Sequence, residues 1–300
     1  MSEIINDKGK KPEDYGFHKR EKENFGLQLH DQAKVKKIIG ILSGKGGVGK
    51  SFVTAMLASG MQKKGYRTAV LDGDITGPSQ GRIFGITSKA EGQKGMMFPA
   101  VTKTGVQIMS TNMLLDMDVQ PVIWRGPMVA NVLKQFYSEV LWEDVDYMFV
   151  DLPPGTGDIQ LTLSQKIPVT GSVVVTTPQD IALIDARKAV DMFNKVNISI
   201  LGVLENMSVH VCSNCGHHEA LFGSDGGKNL AAKLNVPLLG QLPLSLPVRE
   251  AMDAGTAGAL LDNQPAVAEI YTQAAFQIVL AVADKGRDFS SKFPKIVIES

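Results

Sequence analysis

The segment Gly44-Lys45-Gly46-Gly47-Val48-Gly49-Lys50-Ser51 constrains the fold of this chain more than any other stretch. It matches the phosphate-binding pattern G-x-x-x-x-G-K-[ST], in which glycines turn backbone N–H groups toward phosphate oxygens and the following helix adds its positive dipole end. An apolar run at 38–42 precedes it, and a helix-like run at 51–64 follows it. We therefore predict a nucleotide phosphate site, with Lys50 at the β and γ phosphates and Ser51 on Mg²⁺.

Short apolar runs alternate with helix-like runs along most of the chain. Buried-type strands that are separated by helices imply a parallel sheet covered on both faces. The predicted fold class is α/β, a doubly wound, mostly parallel sheet of the P-loop NTPase type, with ligands at the carboxyl ends of the strands. The predicted strands are 38–42, 68–71, 106–110, 147–151, 172–176, 200–204 and 238–242, and the helices are 51–64, 128–142, one from about 159, 181–196, 227–234, 247–254 and 265–284.

Length and composition limit the domain organisation and the partners. The 300 residues are 44% hydrophobic and carry no net charge, which suits one large domain at 36–284, an N-terminal arm at 1–35 and a tail at 285–300. The neutral balance gives no support for a nucleic-acid surface. No apolar run approaches the ~18 residues of a membrane span, and no signal core is evident, so we expect a cytoplasmic protein without a membrane partner.

Two carboxylate segments follow predicted strands. Asp151 ends an apolar strand, where a carboxylate would hold the Mg²⁺ shell, and Gly155 could donate its N–H to the γ-phosphate. Asp72 and Asp74 end another strand; one of them would orient the attacking water, and Asp72 could instead hold the turn or lie near Mg²⁺. Asp158 could be a helix N-cap or a site residue.

Two further features bear on function. Asn206 follows a strand, and by itself it is typical of a turn. Cys212 and Cys215 are the only cysteines of the chain and form one C-x-x-C. Three interpretations remain open: a zinc site completed by His217 and His218, a redox disulfide, or a site to which two chains each give two thiolates.

Lys45 is a second lysine that a general phosphate loop does not require. The form G-K-G-G-V-G-K-S resembles the deviant Walker A loop of the family that includes the nitrogenase iron protein, MinD and ParA. The resemblance implies that Lys45 reaches the nucleotide of a partner subunit. It also implies that Asp74, the second aspartate of D-G-D, positions the attacking water and that Asn206 lies near the adenine.

A closer resemblance covers residues from about 36 to 262. The motifs D-G-D-I-T-G-P-S, W-R-G-P-M, D-L-P-P-G-T-G-D, T-T-P-Q-D, E-N-M-S and C-S-N-C-G follow the phosphate loop in this order, and together they resemble the Mrp/ApbC group of iron–sulfur cluster carrier ATPases. The group implies a homodimer that hydrolyses ATP slowly. It further implies a labile [4Fe–4S] cluster that Cys212 and Cys215 of each subunit bridge. The cluster is passed to apo-proteins, and cluster scaffold proteins are further partners. Gly73 and Thr76 depart from the group's usual alanine and aromatic residue.

Two other functions compete with this one. A ParA- or MinD-like positioning ATPase would use the same phosphate loop on DNA or membrane, with the C-x-x-C as a zinc or redox site. An electron-transfer reductase like the nitrogenase iron protein would also share a cluster, but its cysteines are widely separated in sequence, whereas Cys212 and Cys215 are three positions apart. Zinc could occupy the same four thiolates.

Overall fold

The structure is a computed structural model, and it describes residues 27–93, 95–114, 126–155, 157, 160, 166–212 and 214–287. Its elements, in chain order, are β1 (Val35–Leu42), α1 (Lys50–Lys63), β2 (Thr68–Asp72), α2 (Gln80–Ile83), β3 (Gly92–Gln93), β4 (Met96–Met97), β5 (Ala100–Val101), β6 (Gln107–Met109), α3 (Gly126–Ser138), β7 (Val145–Asp151), β8 (Gly171–Thr176), α4 (Asp180–Lys195), β9 (Ile200–Glu205), β10 (His210–Val211), β11 (His218–Glu219), α5 (Gly226–Leu234), β12 (Leu238–Gln241), α6 (Leu246–Asp253), α7 (Ala257–Asn263) and α8 (Pro265–Arg287).

Eight strands form one sheet in the order β12-β9-β8-β1-β7-β2-β6-β5. Neighbouring strands are parallel throughout, except that β5 pairs with β6 in the antiparallel sense at one edge. The strand that leads into the phosphate loop, β1, lies between β8 and β7. The predicted class, a mostly parallel α/β sheet of the P-loop NTPase type, is confirmed.

Helices cover both faces of the sheet, because the strands carry apolar side chains on both faces. Along β1, Ile39 and Ile41 face one core that includes residues of α1, α6, α7 and α8. Ile38 and Leu42 face the other core, with residues of α3, α4 and α5. Because side chains alternate between two buried faces, both sets are apolar, and the strand appears in the sequence as one continuous apolar run.

The short and irregular elements differ from the sequence prediction. Helix α3 ends at Ser138 rather than at Trp142, because Val140 forms a β-bridge with Met97 and the indole N–H of Trp142 donates to the carbonyl of Phe136 at 3.1 Å. Helices α2 and α7 were not predicted. The strands β3 and β4 pair as a small antiparallel hairpin. The arm up to residue 26, Asp158, most of the helix predicted from about 159, and the tail from residue 288 lie outside the described residues.

Helix α8 corrects one expectation. Its segment Pro265–Asp284, with a mean hydropathy of 1.5, is long and apolar enough by length and composition to cross a membrane, although the sequence was expected to hold no such run. The helix packs on α1 and β12, and Tyr271, Ala275 and Ile278 are almost fully buried in the core. One face of the helix therefore packs in the core of this fold, while Phe276 and Leu280 are exposed. The helix continues to Arg287, beyond the predicted boundary at 284.

Candidate nucleotide and cysteine sites

The phosphate loop joins β1 to α1 at the carboxyl edge of the sheet. Gly47 and Gly49 have φ values of 83° and 80°, in the left-handed region that favours glycine. At Gly44 an added Cβ would lie under 3.0 Å from backbone atoms of Asp185 and Ala186 in α4. The loop therefore rests directly on the backbone of α4, and only glycine fits at position 44.

Lys50 and Asp151 form a buried ion pair at the base of the loop. The ammonium contacts Asp151 Oδ1, and the two side chains are 5% and 0% exposed. The hydroxyl of Thr54 lies 3.3 Å from the same oxygen. A buried carboxylate requires a charge partner, and here the lysine that was predicted to bind phosphates serves as that partner.

Gln80, at the start of α2, contacts the other oxygen of this carboxylate. Its Nε2 donates to Asp151 Oδ2 at 2.8 Å and to the carbonyl of Ser51 at 3.0 Å. The structure thus brings together three residues predicted from the sequence, Lys50, Ser51 and Asp151, through one that was not. A polar residue after G-P-S suggests a turn, so the sequence carried no signal for this contact.

Asp72 and Asp74 have different surroundings. Asp72 is fully buried, and burial, followed by the charge of Asp151, raises its pKa to about 7. Asp74 is partly exposed; burial also raises its pKa, while the nearby Lys50 lowers it. Asp72 holds the connection from β2 to α2, because its carboxylate accepts from the backbone N–H groups of Asp74 (3.2 Å), Ser79 (2.9 Å) and Gln80 (3.0 Å) and from the hydroxyl of Ser110 (2.8 Å).

The loop after β7 is tied to the phosphate loop. The N–H of Leu152 donates to the carbonyl of Ile41 at 3.1 Å, and that of Gly155 donates to the carbonyl of Ser43 at 3.0 Å. Gly155 has a φ of 97°. Its predicted bond to a γ-phosphate would replace the bond to Ser43, so this N–H reaches a phosphate only if the loop shifts.

Asn206 lies directly against the phosphate loop. Its Nδ2 donates to the carbonyl of Val48 at 2.9 Å, and the residue is 7% exposed. An added Cβ on Gly49 would collide with the same amide. Met207 follows with a φ of 57°, an uncommon conformation for a bulky residue. The end of β9 therefore touches the nucleotide loop immediately before the chain leaves the sheet toward the cysteines.

Cys212 and Cys215 lie at the tip of the small hairpin formed by β10 and β11. The N–H of Cys212 donates to the carbonyl of His217, and the N–H of Gly216 donates to the carbonyl of Cys212, both at 2.9 Å. Both thiols are free; Cys212 is partly exposed and Cys215 is exposed. The backbone N–H groups of Cys215 and then Asn214 lower the pKa of the Cys212 thiol.

The described part of the chain contains no group of three or more His, Cys, Asp or Glu residues that could hold a metal ion. His217 and His218 are exposed and do not join the cysteines in such a group. The base of the hairpin is held by Ser208, whose N–H donates to the carbonyl of Leu242 at 2.9 Å, and by Leu244, whose N–H donates to the carbonyl of Val209 at 2.8 Å.

Glu205 is a second buried residue that sequence reasoning missed. It is 1% exposed at the end of β9. Its carboxylate accepts from the N–H of Gly227, at the start of α5, and from Nε2 of Gln241 at 2.7 Å. A carboxylate at a helix N-terminus is favoured by the helix dipole. Glu205 thus fixes the strand end that carries Asn206.

Comparisons with known proteins agree with this geometry. The ParA family model, described as NUBPL iron-transfer P-loop NTPase, matches residues 34–279. A Pseudomonas fragi protein named iron-sulfur cluster carrier protein is 51% identical over 253 residues, 83% of this chain and 87% of that protein. An Archaeoglobus fulgidus nucleotide-binding protein, solved in complex with ADP, has a TM-score of 0.66 and 34% identity, covering 75% of this chain and 88% of that one. The cell division ATPase MinD of Pyrococcus furiosus has a TM-score of 0.61 at 21% identity, covering 81% and 98%, which shows the fold alone.

Proposed function

This chain belongs to the ParA family of iron-transfer P-loop NTPases, and we propose that it is a homodimeric carrier that binds and slowly hydrolyses ATP. We propose that the dimer bridges one [4Fe–4S] cluster and passes it to apo iron–sulfur proteins, with scaffold proteins as further partners. Its place of action would be the cytoplasm, without a nucleic-acid or membrane partner.

The cysteine hairpin carries this proposal. A cubane cluster takes four thiolates in its usual form, and the hairpin offers two, free and accessible at its tip. The described residues provide no third metal-binding side chain beside them. A second copy of the chain supplies the missing pair. Two short hairpins that meet across an interface can also separate, which suits a cluster that is handed on.

Exposed apolar side chains support a dimer face on the nucleotide side. Ile181 and Ile184 of α4 are 62% and 56% exposed, and they belong to the helix on which Gly44 rests. Leu221, just after the hairpin, is 51% exposed. Ile181 and Ile184 lie three positions apart and so share one face of α4, and an apolar face that is exposed to solvent is typical of interaction sites. Lys45 follows Gly44 in the phosphate loop and is partly exposed. A contact with the phosphates bound to the partner subunit would require this exposure.

The nucleotide site suggests how hydrolysis would proceed. Ser51 and Asp151 provide oxygen donors of the kind that Mg²⁺ prefers, and the ion would neutralise charge on the β and γ phosphates. When nucleotide binds, the Lys50 ammonium would leave the Asp151 carboxylate and contact these phosphates instead. Asp74, which lies close enough to Lys50 and Asp151 for their charges to shift its pKa, would orient the attacking water. Asn206 would contact the adenine.

Anaerobic reconstitution with iron and sulfide tests the proposal. We expect the wild-type chain to take up about two iron ions per subunit, half of a shared cubane, with a broad brown absorbance. Cys212→Ala and Cys215→Ala should abolish this uptake. The matched control His218→Ala, in the same exposed hairpin, should retain it.

Absence of iron and sulfide uptake by the wild type, or a full cluster in Cys212→Ala, would contradict the carrier function. A colourless protein that binds zinc would favour the zinc interpretation. Salt-sensitive DNA binding or recruitment to liposomes would favour a positioning ATPase instead; the likeness to MinD at 21% identity shows only a common fold.

A further inference from the structure

Gln80 connects three segments of the nucleotide site. It is fully buried at the first position of α2. Its backbone N–H donates to Asp72 Oδ2 at 3.0 Å, which ties it to the loop that carries Asp74. Its side-chain Nε2 donates to Asp151 Oδ2 and to the carbonyl of Ser51. Nε2 therefore contacts the carboxylate that is predicted to hold Mg²⁺ and the backbone carbonyl of Ser51, the residue whose hydroxyl is predicted to bind the same ion.

The other end of the same side chain is unsatisfied. Within the described part of the chain, Gln80 Oε1 is buried and has no hydrogen-bond partner. Exchanging the amide oxygen and nitrogen does not remove the problem, because Oε1 would then face two acceptors, Asp151 Oδ2 and the Ser51 carbonyl. Leaving a buried acceptor without a donor costs free energy, so the position calls for a donor that binds there.

The surroundings limit what that donor can be. The group must donate a hydrogen bond to Oε1, and it lies close to the amide nitrogen that contacts Asp151 Oδ2 and the Ser51 carbonyl. Mg²⁺ keeps several of its waters when it binds to proteins, and those waters are strong donors. We propose that Gln80 is a positioning residue for Mg²⁺: Nε2 holds the Asp151 carboxylate in place, and Oε1 accepts a hydrogen bond from a magnesium-bound water.

This role explains how Asp151 keeps its orientation when Lys50 turns to the phosphates. Lys50 and Thr54 contact Oδ1, whereas Gln80 contacts Oδ2. Departure of Lys50 leaves Oδ1 with Thr54 as its partner, while the bond from Gln80 to Oδ2 still prevents rotation of the carboxylate. Removing Gln80 should therefore weaken the response to Mg²⁺ and leave metal-free nucleotide binding intact.

The test compares Gln80→Met with Gln107→Met. Methionine keeps the length of the side chain and removes both polar atoms. Gln107 is a matched control at the opposite end of the sheet, since it is also buried, donates to the carbonyl of Glu143 at 2.7 Å and accepts from its N–H at 3.0 Å. Binding of a fluorescent ATP analogue is measured in EDTA and over a Mg²⁺ titration.

We expect Gln80→Met to raise the Mg²⁺ concentration at half-effect by about tenfold, the value of one good hydrogen bond to a charged assembly, with affinity in EDTA unchanged within about twofold. Gln107→Met should change neither quantity by more than about twofold. An unchanged Mg²⁺ titration in Gln80→Met, or an equal shift in Gln107→Met, would overturn the proposal.

A second measurement needs no variant and applies if Gln80→Met does not fold. In the wild type, the side-chain amide resonances of Gln80 should move when Mg²⁺ is added to the nucleotide complex, while those of Gln107 stay in place; unmoved Gln80 resonances would also refute the assignment. The inference rests only on the nucleotide part of the proposed function. If the wild type binds nucleotide but its affinity does not respond to Mg²⁺, the nucleotide part of the proposed function is contradicted. If the wild type responds to Mg²⁺ and Gln80→Met responds in the same way, only the role of Gln80 is contradicted.

Discussion

The buried carboxyl of Asp72 should make the stability of the nucleotide-free protein depend on pH. Burial, and then the charge of Asp151, raise its pKa from the ordinary 3.8 to about 7, against the opposing effect of its hydrogen bonds. Between these two values the folded state binds more protons than the unfolded state. The contribution of Asp72 to the free energy of unfolding is therefore largest below about pH 4, falls as the pH rises to about 7, and levels off above that.

The size of this effect follows from the same two values. At about 1.4 kcal/mol for each pH decade, a change from 3.8 to about 7 corresponds to about 4 kcal/mol for this one group. Asp72→Asn cannot ionise. The free energy of unfolding of the variant, minus that of the wild type, should therefore rise by up to about 4 kcal/mol between about pH 4 and pH 8. Taking the difference cancels the titration of the histidines.

Urea denaturation in EDTA, followed by fluorescence and circular dichroism at several pH values, measures this difference. Asp146→Asn is the control, because the pKa of Asp146 is shifted in the opposite direction. A hydrogen bond from Lys36 is the main cause, and it lowers this pKa to about 2. The stability that Asp146 contributes is lost only as the pH falls below about 4, outside the window tested. A difference between Asp72→Asn and wild type that stays constant with pH would refute the reasoning, and would mean that the hydrogen bonds keep Asp72 ionised.

Two further predictions concern the loop and the hairpin. Gly44→Ala should weaken ATP binding by at least about tenfold, because the new Cβ collides with the backbone of α4. The control Gly60→Ala should bind ATP like the wild type, since its Cβ would lie no closer than 3.4 Å to any neighbour. Equal affinities of the two variants in a nucleotide-binding assay would contradict this prediction. Iodoacetamide should label Cys212 faster than Cys215 near neutral pH in metal-free protein, because the lowered pKa of Cys212 increases its thiolate fraction. Peptide mass spectrometry measures both rates, and faster labelling of Cys215 would contradict the prediction.

The central sheet was predictable because its strands are buried on both faces. The segment 38–42, with four apolar side chains around Gly40, has few alternatives to a buried strand when a glycine-rich loop and a helix follow. The edges were less predictable. The strand β5 has two residues and α2 has four, too few for any periodicity to appear, and the antiparallel pairing of β5 depends on tertiary contacts alone.

The residues of the site also fall into those that the sequence predicts and those that it does not. Lys50, Ser51 and Asp151 follow from the loop pattern and from the strand end, and the structure places them together. Gln80 and Glu205 are buried polar residues whose partners lie far away in sequence, 71 positions for the contact of Gln80 with Asp151 and 36 for that of Glu205 with Gln241. A single sequence carries no periodic signal for such contacts. The roles assigned to the site residues remain predictions; these residues are Lys45, Lys50, Ser51, Asp74, Asp151, Gly155, Asn206, Cys212 and Cys215.

The phosphate loop and the cysteine hairpin differ in how firmly the fold holds them. The phosphate loop extends from β1, which has strands on both sides. The cysteine hairpin projects beside β12, the edge strand, and is attached at its base through Ser208 and Leu244. Local opening costs least at edges and small hairpins and most in central strands. The hairpin that carries the cysteines can therefore open by local unfolding, at a fraction of the global cost, while the phosphate loop keeps its shape.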